Sequence, residues 1–237
     1  MVDLSLILPV HNEETIIGSV LRDTLRVVKR TIPSYECIVV ENGSTDHTLN
    51  VLGRLAKQYT HVRVLTAPKG YGSAVLAGLT AARSTYVCYM PSDGQIDLPV
   101  IPKLWRLMRT GDWHVVKVRR VTRESWDRRI ISSFFSWTVS MLFHVPRYDV
   151  NGSPRILRRG DMMKLRLHYT DSFIDTEFAI KATVLGWNMK EIRMRTLPRR
   201  GGTSTRSIHT YLEFIRNLYH FYRNEYWALK GKAHTYR

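Results

Sequence analysis

The chain has 237 residues, and its 36 Lys and Arg against 20 Asp and Glu leave a formal charge of +16. A hydrophobic fraction of 44% with 11% aromatics excludes a disordered tail, and 14 Gly with 9 Pro exclude a fibrous or low-complexity chain. A chain of this length folds around its own core without a disulfide or metal staple, so Cys37 and Cys88, both inside apolar runs, are expected as buried thiols in a reducing compartment.

Short β-branched runs and longer mixed segments alternate through the first 120 residues. Leu4–Val10, Glu36–Asn42, Val62–Ala67, Thr85–Met90 and His114–Val118 read as strands apolar enough to be buried on both faces. Between them Glu13–Arg30, Asp46–Tyr59, Ser73–Arg83 and Leu98–Thr110 read as helices. In the first, Ile16, Ile17, Val20, Leu21, Thr24, Leu25 and Val28 recur at helical spacing. Asn12 is the expected N-cap of that helix, with Glu13 and Glu14 in its first turn, and Ser44 or Asp46 the cap of the second. Repeated strand–helix units of this length predict an α/β fold on a mostly parallel sheet with right-handed crossovers. Further on, Trp126–Val145 reads as a helix, Asp149–Leu157 as a strand, Thr176–Leu185 as a helix and Met189–Leu197 as a strand. Arg199–Ser207 is a basic Gly/Thr/Ser loop, and Ser207–Lys230 a long terminal helix.

The N-terminus lacks a basic n-region and breaks at Pro9, unlike a signal peptide. The longest stretch free of Lys, Arg, Asp and Glu, Ile130–Pro146, falls short of the roughly 20 apolar residues a spanning helix needs. The expectation is therefore a soluble intracellular chain that crosses no bilayer, with a basic surface that attracts something anionic. Basic residues scatter through the sequence without a nucleic-acid-binding motif, which disfavours, as the alternative from another class, a basic nucleic-acid-binding α/β protein. The first strand leads into PVHNEE rather than G-x-G-x-x-G, which argues against a nicotinamide-dependent oxidoreductase.

Open parallel sheets bind ligands beyond the carboxyl ends of their strands. Those ends carry Pro9-Val10-His11-Asn12-Glu13, Glu41-Asn42-Gly43-Ser44-Thr45-Asp46, Lys69-Gly70-Tyr71-Gly72-Ser73 and Pro91-Ser92-Asp93-Gly94-Gln95. Each also has a purely structural use, Asn12 and Asp46 as caps and Gly43 and Gly72 as turns. Amides, carboxylates and small residues at four such ends together point to a polar ligand.

PVHNEE, VVENGSTDHT, KGYGSAVLAGL, the SDGQ step, IDTEFAIKA and RRGGTST, in this order over roughly residues 4–225, resemble the family 2 glycosyltransferases of GT-A fold, with the dolichyl- or polyprenyl-phosphate mannose and glucose synthases as the nearest branch. The resemblance implies an inverting transfer of a hexose, mannose before others, from a nucleoside-diphosphate sugar such as GDP-mannose to a polyprenyl or dolichyl phosphate; a different glycan or small-molecule acceptor is the alternative. It implies that Pro9, Val10, Asn12, Glu13 and Asn42 hold the nucleoside, with Ser92 and Asp93 also at the donor. Lys69 and Gly70 lie in a loop opening a helix, where backbone approaches the ligand closely beside a cation. The family's Asp-x-Asp-x-Gln appears here as Pro91-Ser92-Asp93-Gly94-Gln95, so Asp93 and Gln95 are the candidate ligands of a weakly held Mg²⁺ or Mn²⁺. Arg128, Arg200 and Arg206, with Arg119 as a weaker candidate, match basic positions at the acceptor and leaving group. Glu177 matches an acid beneath the site, touching sugar hydroxyls or pairing with an arginine.

On this reading residues 1–207 form the catalytic domain, 1–120 its nucleotide-sugar half and 121–207 its acceptor half. Residues 208–237 are an amphipathic membrane-interface helix and tail. The aromatics of Trp126–Val145 and of the terminal helix, interleaved with Arg216, Arg223 and Lys230, suit a helix lying in a headgroup layer, and predict peripheral attachment to the cytoplasmic face of a membrane.

Overall fold

A computed structural model describes residues 2–121, 126–146, 150–201 and 208–235; side chains are described for most but not all of these. Seven strands, β1 (Leu4–Val10), β2 (Tyr35–Glu41), β3 (Val62–Thr66), β4 (Tyr86–Tyr89), β5 (Val115–Arg120), β6 (Arg155–Arg158) and β7 (Met189–Met194), form one sheet in the order β3-β2-β1-β4-β6-β5-β7. β1 pairs in parallel with β2 and β4, β2 with β3, and β5 with β7, while β6 runs antiparallel between β4 and β5. The expected α/β class and the first five strands hold, with β6 the exception to parallel pairing.

Alternation along the strands divides the core. Leu4, Leu6, Leu8 and Val10 of β1, with Cys37 and Val39 of β2, pack beneath α1 (Ile17–Lys29), α2 (Thr48–Gln58) and α4 (Val100–Thr110). Ile7, Ile38, Val40, Val87 and Tyr89 face the other way, against α3 (Tyr71–Ala81) and α7 (Ile174–Val184). Both thiols are free and fully buried, as expected of small core residues. A third cluster joins α5 (Trp126–Phe143) and α7 to the terminal helix through Val139, Phe143, Phe173, Ile180, Leu218, Phe221 and Tyr226.

Several boundaries move for identifiable reasons. α1 begins at Ile17, not Glu13, and its N-cap position is Ile16, without a side-chain cap. Asn12 does not cap it, and no acid lies in its first turn. The Glu13 and Glu14 amides donate instead to Thr48 Oγ1 at 2.8 Å and Asp46 Oδ2 at 3.3 Å, so this segment is tied to the neighbouring turn before the helix starts. β6 begins at Arg155, because Pro154 offers no N–H to a ladder; Asp149, where the strand was expected to start, lies outside the described residues. The short helix α6 (Arg159–Lys164) was not anticipated. The terminal helix divides into α8 (Ile208–Phe221), a π-helical turn (Tyr222–Tyr226) and α9 (Trp227–Thr235). No helix among the described residues is long and apolar enough to cross a membrane.

Candidate functional site

The turns after β1 and β2 are stitched together by short polar side chains. Asn12 holds φ +52°, a left-handed conformation that asparagine tolerates better than most residues. It receives the Thr45 amide on Oδ1 at 2.8 Å, and its own amide donates to Ser44 Oγ at 3.0 Å. The Asn42 amide donates to the Val10 carbonyl at 3.1 Å, and His11 Nδ1 lies 3.1 Å from the Asn42 carbonyl. The β4 end joins from the other side, where Ser92 donates to the Pro9 carbonyl at 2.6 Å. Asn12, Asn42 and Ser92-Asp93 therefore share one edge of the sheet.

Two buried acceptors on this edge have no hydrogen-bond partner, Glu13 Oε2 and Asn42 Oδ1. Burial pushes the Glu13 carboxyl up to about 7. The Ser92 hydroxyl and Arg199 pull it down, while Asp93 and Asp46 push it up. Asp93 is buried, its Oδ2 3.1 Å from Arg199 Nη2, and its Oδ1 accepts the Gln95 amide at 3.1 Å. The Glu13 and Asp93 carboxyls are hard oxygen donors lying close to one another, and one Glu13 oxygen is unpartnered, which suits a divalent cation such as Mg²⁺ or Mn²⁺. Asp93 and Gln95 would be its ligands, and the Arg199 contact at Asp93 fits weak retention.

The turn before α3 departs from the expectation. Backbone does approach Gly70 and Gly72 closely, but the backbone is the protein's own. A Cβ on Gly70, at φ +142°, would lie 2.4 Å from the Thr170 carbonyl oxygen, and one on Gly72 would lie 2.3 Å from that of Tyr169. The Ser73 amide, in the first turn of α3, donates to Thr170 at 2.9 Å. Segment 169–171 thus takes the space and one donor that an anion was expected to use. Lys69 packs beside Gly43, where a Cβ would sit 3.2 Å from Lys69 Cβ, so this turn abuts the one after β2.

Glu177 is 0% exposed and fully engaged. It accepts from Lys181 Nζ at 2.6 Å and from the His168 and Tyr169 amides at 3.1–3.2 Å, and Nδ1 of the His168 ring lies 2.9 Å away. Its partners are a lysine and a histidine, not an arginine, because on α7 it faces Lys181 one helical turn on and the loop that precedes the helix. Arg200 reaches outward to Asp23 at 2.7 Å, while its side-chain carbons pack over Gly94. Arg119 is exposed at the end of β5. Arg128 lies on α5 with its side chain outside the described set, and Arg206 lies outside the described residues. The sequence reading missed Arg199, which faces Asp93 in the position assigned to its neighbour; the Arg199-Arg200 doublet was the available signal.

The sequence pattern of glycosyl transferase family 2 matches residues 5–167. An uncharacterized glycosyltransferase of Mycobacterium tuberculosis is 31% identical over 206 residues, covering 85% of this chain and 88% of its own. The undecaprenyl-phosphate 4-deoxy-4-formamido-L-arabinose transferase of Proteus mirabilis is 28% identical over 91% of this chain, which spans 65% of that protein. In structure, glucosyl-3-phosphoglycerate synthase of M. tuberculosis, solved with Mn²⁺, UDP and phosphoglyceric acid, superposes with a TM-score of 0.67 at 18% identity, over 92% of this chain and 76% of that one. S. aureus TarS 1-349 with UDP-GlcNAc gives 0.60 at 16% identity, over 91% of this chain and 65% of that one. The seven-stranded, helix-flanked sheet is the GT-A fold of these neighbours.

Proposed function

The chain belongs to glycosyl transferase family 2, and on that premise we propose that it moves a hexose, mannose from GDP-mannose, onto a polyprenyl or dolichyl phosphate with inversion at the anomeric carbon. The undecaprenyl-phosphate transferases among its relatives support the acceptor class. The observation that carries the donor reading is the pair of buried, unpartnered acceptors, Glu13 Oε2 and Asn42 Oδ1, on the strand edge that holds Asp93. A nucleoside presents ring N–H and ribose O–H donors that such oxygens accept. Pro9, Val10, Asn12, Lys69 and Ser92 complete the donor wall, and Asp93 and Gln95 would hold a divalent cation, which would supply positive charge against the diphosphate.

The acceptor phosphate carries about −1.5 to −2 charge at pH 7 and needs cations and alignment more than a base. One phosphate oxygen attacks the anomeric carbon as the bond to the diphosphate breaks, and the nucleoside diphosphate leaves with that electron pair. Arg128, Arg200 and Arg206, with Arg199 beside Asp93, are the proposed cations, and residues 121–207 the acceptor half. The neighbours solved with UDP ligands make the base of the nucleotide the first thing to test. Residues 208–237 are proposed to rest on the cytoplasmic membrane face.

A thermal-shift series with GDP, UDP, GDP-mannose and UDP-glucose, each with and without Mn²⁺, tests this. At 100 times Kd a ligand adds about 2.7 kcal/mol, or roughly 5–10 °C in Tm for a chain of this size. GDP-mannose with Mn²⁺ is expected to give that rise, and no shift from any of the four overturns the donor site. Asp93→Asn is expected to lose at least about 10²-fold in transfer with the fold intact.

A further inference from the structure

The terminal helix has two working sides. Its inward side contributes Phe214, Leu218 and Phe221 to the third core cluster, and Phe214 meets Phe135 of α5 edge-on at 4.0 Å. From the same side it makes polar contacts with one short loop, residues 168–171. Asn217 Nδ2 donates to Asp171 Oδ2. Glu225 Oε1 accepts from the Tyr169 hydroxyl at 3.1 Å and lies 3.3 Å from His168 Nε2. Glu225 belongs to the π-helical turn, and such turns rotate the following side chains out of ordinary helical phase and are enriched at functional positions. The other edge of the loop is held by Glu177 of α7.

The loop's carbonyls rest on Gly70 and Gly72 and cap the Ser73 amide, the turn holding these residues abuts Gly43, and the next residues, Ser44 and Thr45, bind Asn12. An unbroken run of contacts thus joins Glu225 and Asn217 to the proposed donor wall. We propose that Asn217 and Glu225 are positioning residues, which latch loop 168–171 onto the start of α3 and so fix the turn that carries Lys69 against the nucleotide. The effect on catalysis rests on the donor-site reading above; the latch itself does not.

The test therefore has one readout that needs no ligand. Hydrogen exchange at the Ser73 amide, whose acceptor is the Thr170 carbonyl, reports loop seating directly. In the full chain, the double variant Asn217→Ala with Glu225→Ala is expected to speed Ser73 exchange at least about 10-fold, while the amides of β1 stay protected. KM for the donor should rise about 5–10-fold with kcat within about twofold, because the wall is misplaced before the chemical step. Glu225→Gln keeps an acceptor for Tyr169 and should restore most of both effects. Leu218→Ala, which thins the helix packing but leaves the polar contacts from Asn217 and Glu225 to the loop in place, should change neither by more than about twofold. Unchanged Ser73 exchange in the double variant, or the same changes in Leu218→Ala, overturns the latch. If the double variant loses β1 protection and so fails to fold, Asn217→Ala and Glu225→Ala singly decide the matter by the same Ser73 criterion. A wild-type chain that binds no nucleotide sinks the donor reading, while Ser73 still decides the latch.

Discussion

Buried carboxyl groups are treated in opposite ways at two places in this molecule, the strand ends around Glu13 and the start of α7. At the strand ends of residues 2–121, Glu13 Oε2 and Asn42 Oδ1 are buried without partners. In residues 150–201 the buried acids are closed off by cations: Asp175 lies 3.0 Å from Arg155, which is sandwiched between the Tyr89 and Phe178 rings, and Glu177 lies 2.6 Å from Lys181. An unsatisfied buried acceptor costs about 1–3 kcal/mol, a cost that a ligand's donors can remove. A buried carboxylate already held by a cation has less to offer a ligand. The difference separates a surface awaiting contacts from a scaffold that has already made them.

The largest test of that contrast is on the scaffold side. Glu177→Ala leaves two loop amides without their acceptor and Lys181 with only the Arg166 carbonyl, and is expected to cost about 3–5 kcal/mol, lowering Tm by roughly 10 °C. Glu177→Gln, which still accepts from the amides, should cost less. A loss below about 1 kcal/mol for the alanine variant, measured by urea unfolding, would mean that Glu177 is not structural and would return it to the sugar site.

On the ligand side the expected sign is reversed. The folded Glu13 carboxyl, raised to about 7, holds its proton more tightly than the unfolded chain does. Its contribution to stability is fully present below the ordinary carboxylate range, falls as pH rises toward 7, and is gone above it. In metal-free protein, Glu13→Gln should therefore match wild type near pH 4 and exceed it by about 2 kcal/mol at pH 8, seen as a Tm gain of roughly 4–8 °C. A constant difference across that range would show that burial does not perturb Glu13, and the contrast between the regions would fail at its first residue.

The same division governs what could be read from sequence. Strands such as Leu4–Val10 and helices such as α1 were legible because burial on both faces of a sheet, or one face of a helix, writes itself as a run or a period of apolar residues. The cluster of strand ends was legible because topology alone brings them together. Asn12 was misread as a cap, since its real partners, Ser44 and Thr45, are more than thirty residues away. Arg199 and Arg200 are adjacent, and only the local backbone decides which turns inward to Asp93. Pairings such as Glu177 with His168 and Glu225 with Tyr169 depend on packing between α7, the loop and the terminal helix, which no periodicity encodes. Nor does it reveal that Gly70 and Gly72 make room for loop 169–171.

The smallest expected effect concerns the outward side of the terminal helix, where the two regions' logic meets. Leu212, Ile215 and Tyr219 are 59%, 63% and 63% exposed, at the spacing of one helical face, opposite the buried Leu218 and Phe221. On α5, Trp137 and Met141 are likewise exposed while Val139 and Phe143 are buried. Two adjoining helices that are apolar inside and out, with Arg216 and Arg223 exposed beside the outer face of α8, suit an anionic bilayer surface. Losing one aliphatic group from such a face removes about 1 kcal/mol, so Leu212→Ser or Ile215→Ser should weaken binding to anionic vesicles about fivefold while Tm stays within a few degrees. Neutral vesicles should bind more weakly than anionic ones, and 1 M salt should narrow that gap by screening the arginines. Equal sedimentation of both variants and wild type with anionic vesicles would show that these side chains do not enter lipid. An outer face that instead mediates pairing of chains would appear as a dimer in light scattering that Ile215→Ser dissolves.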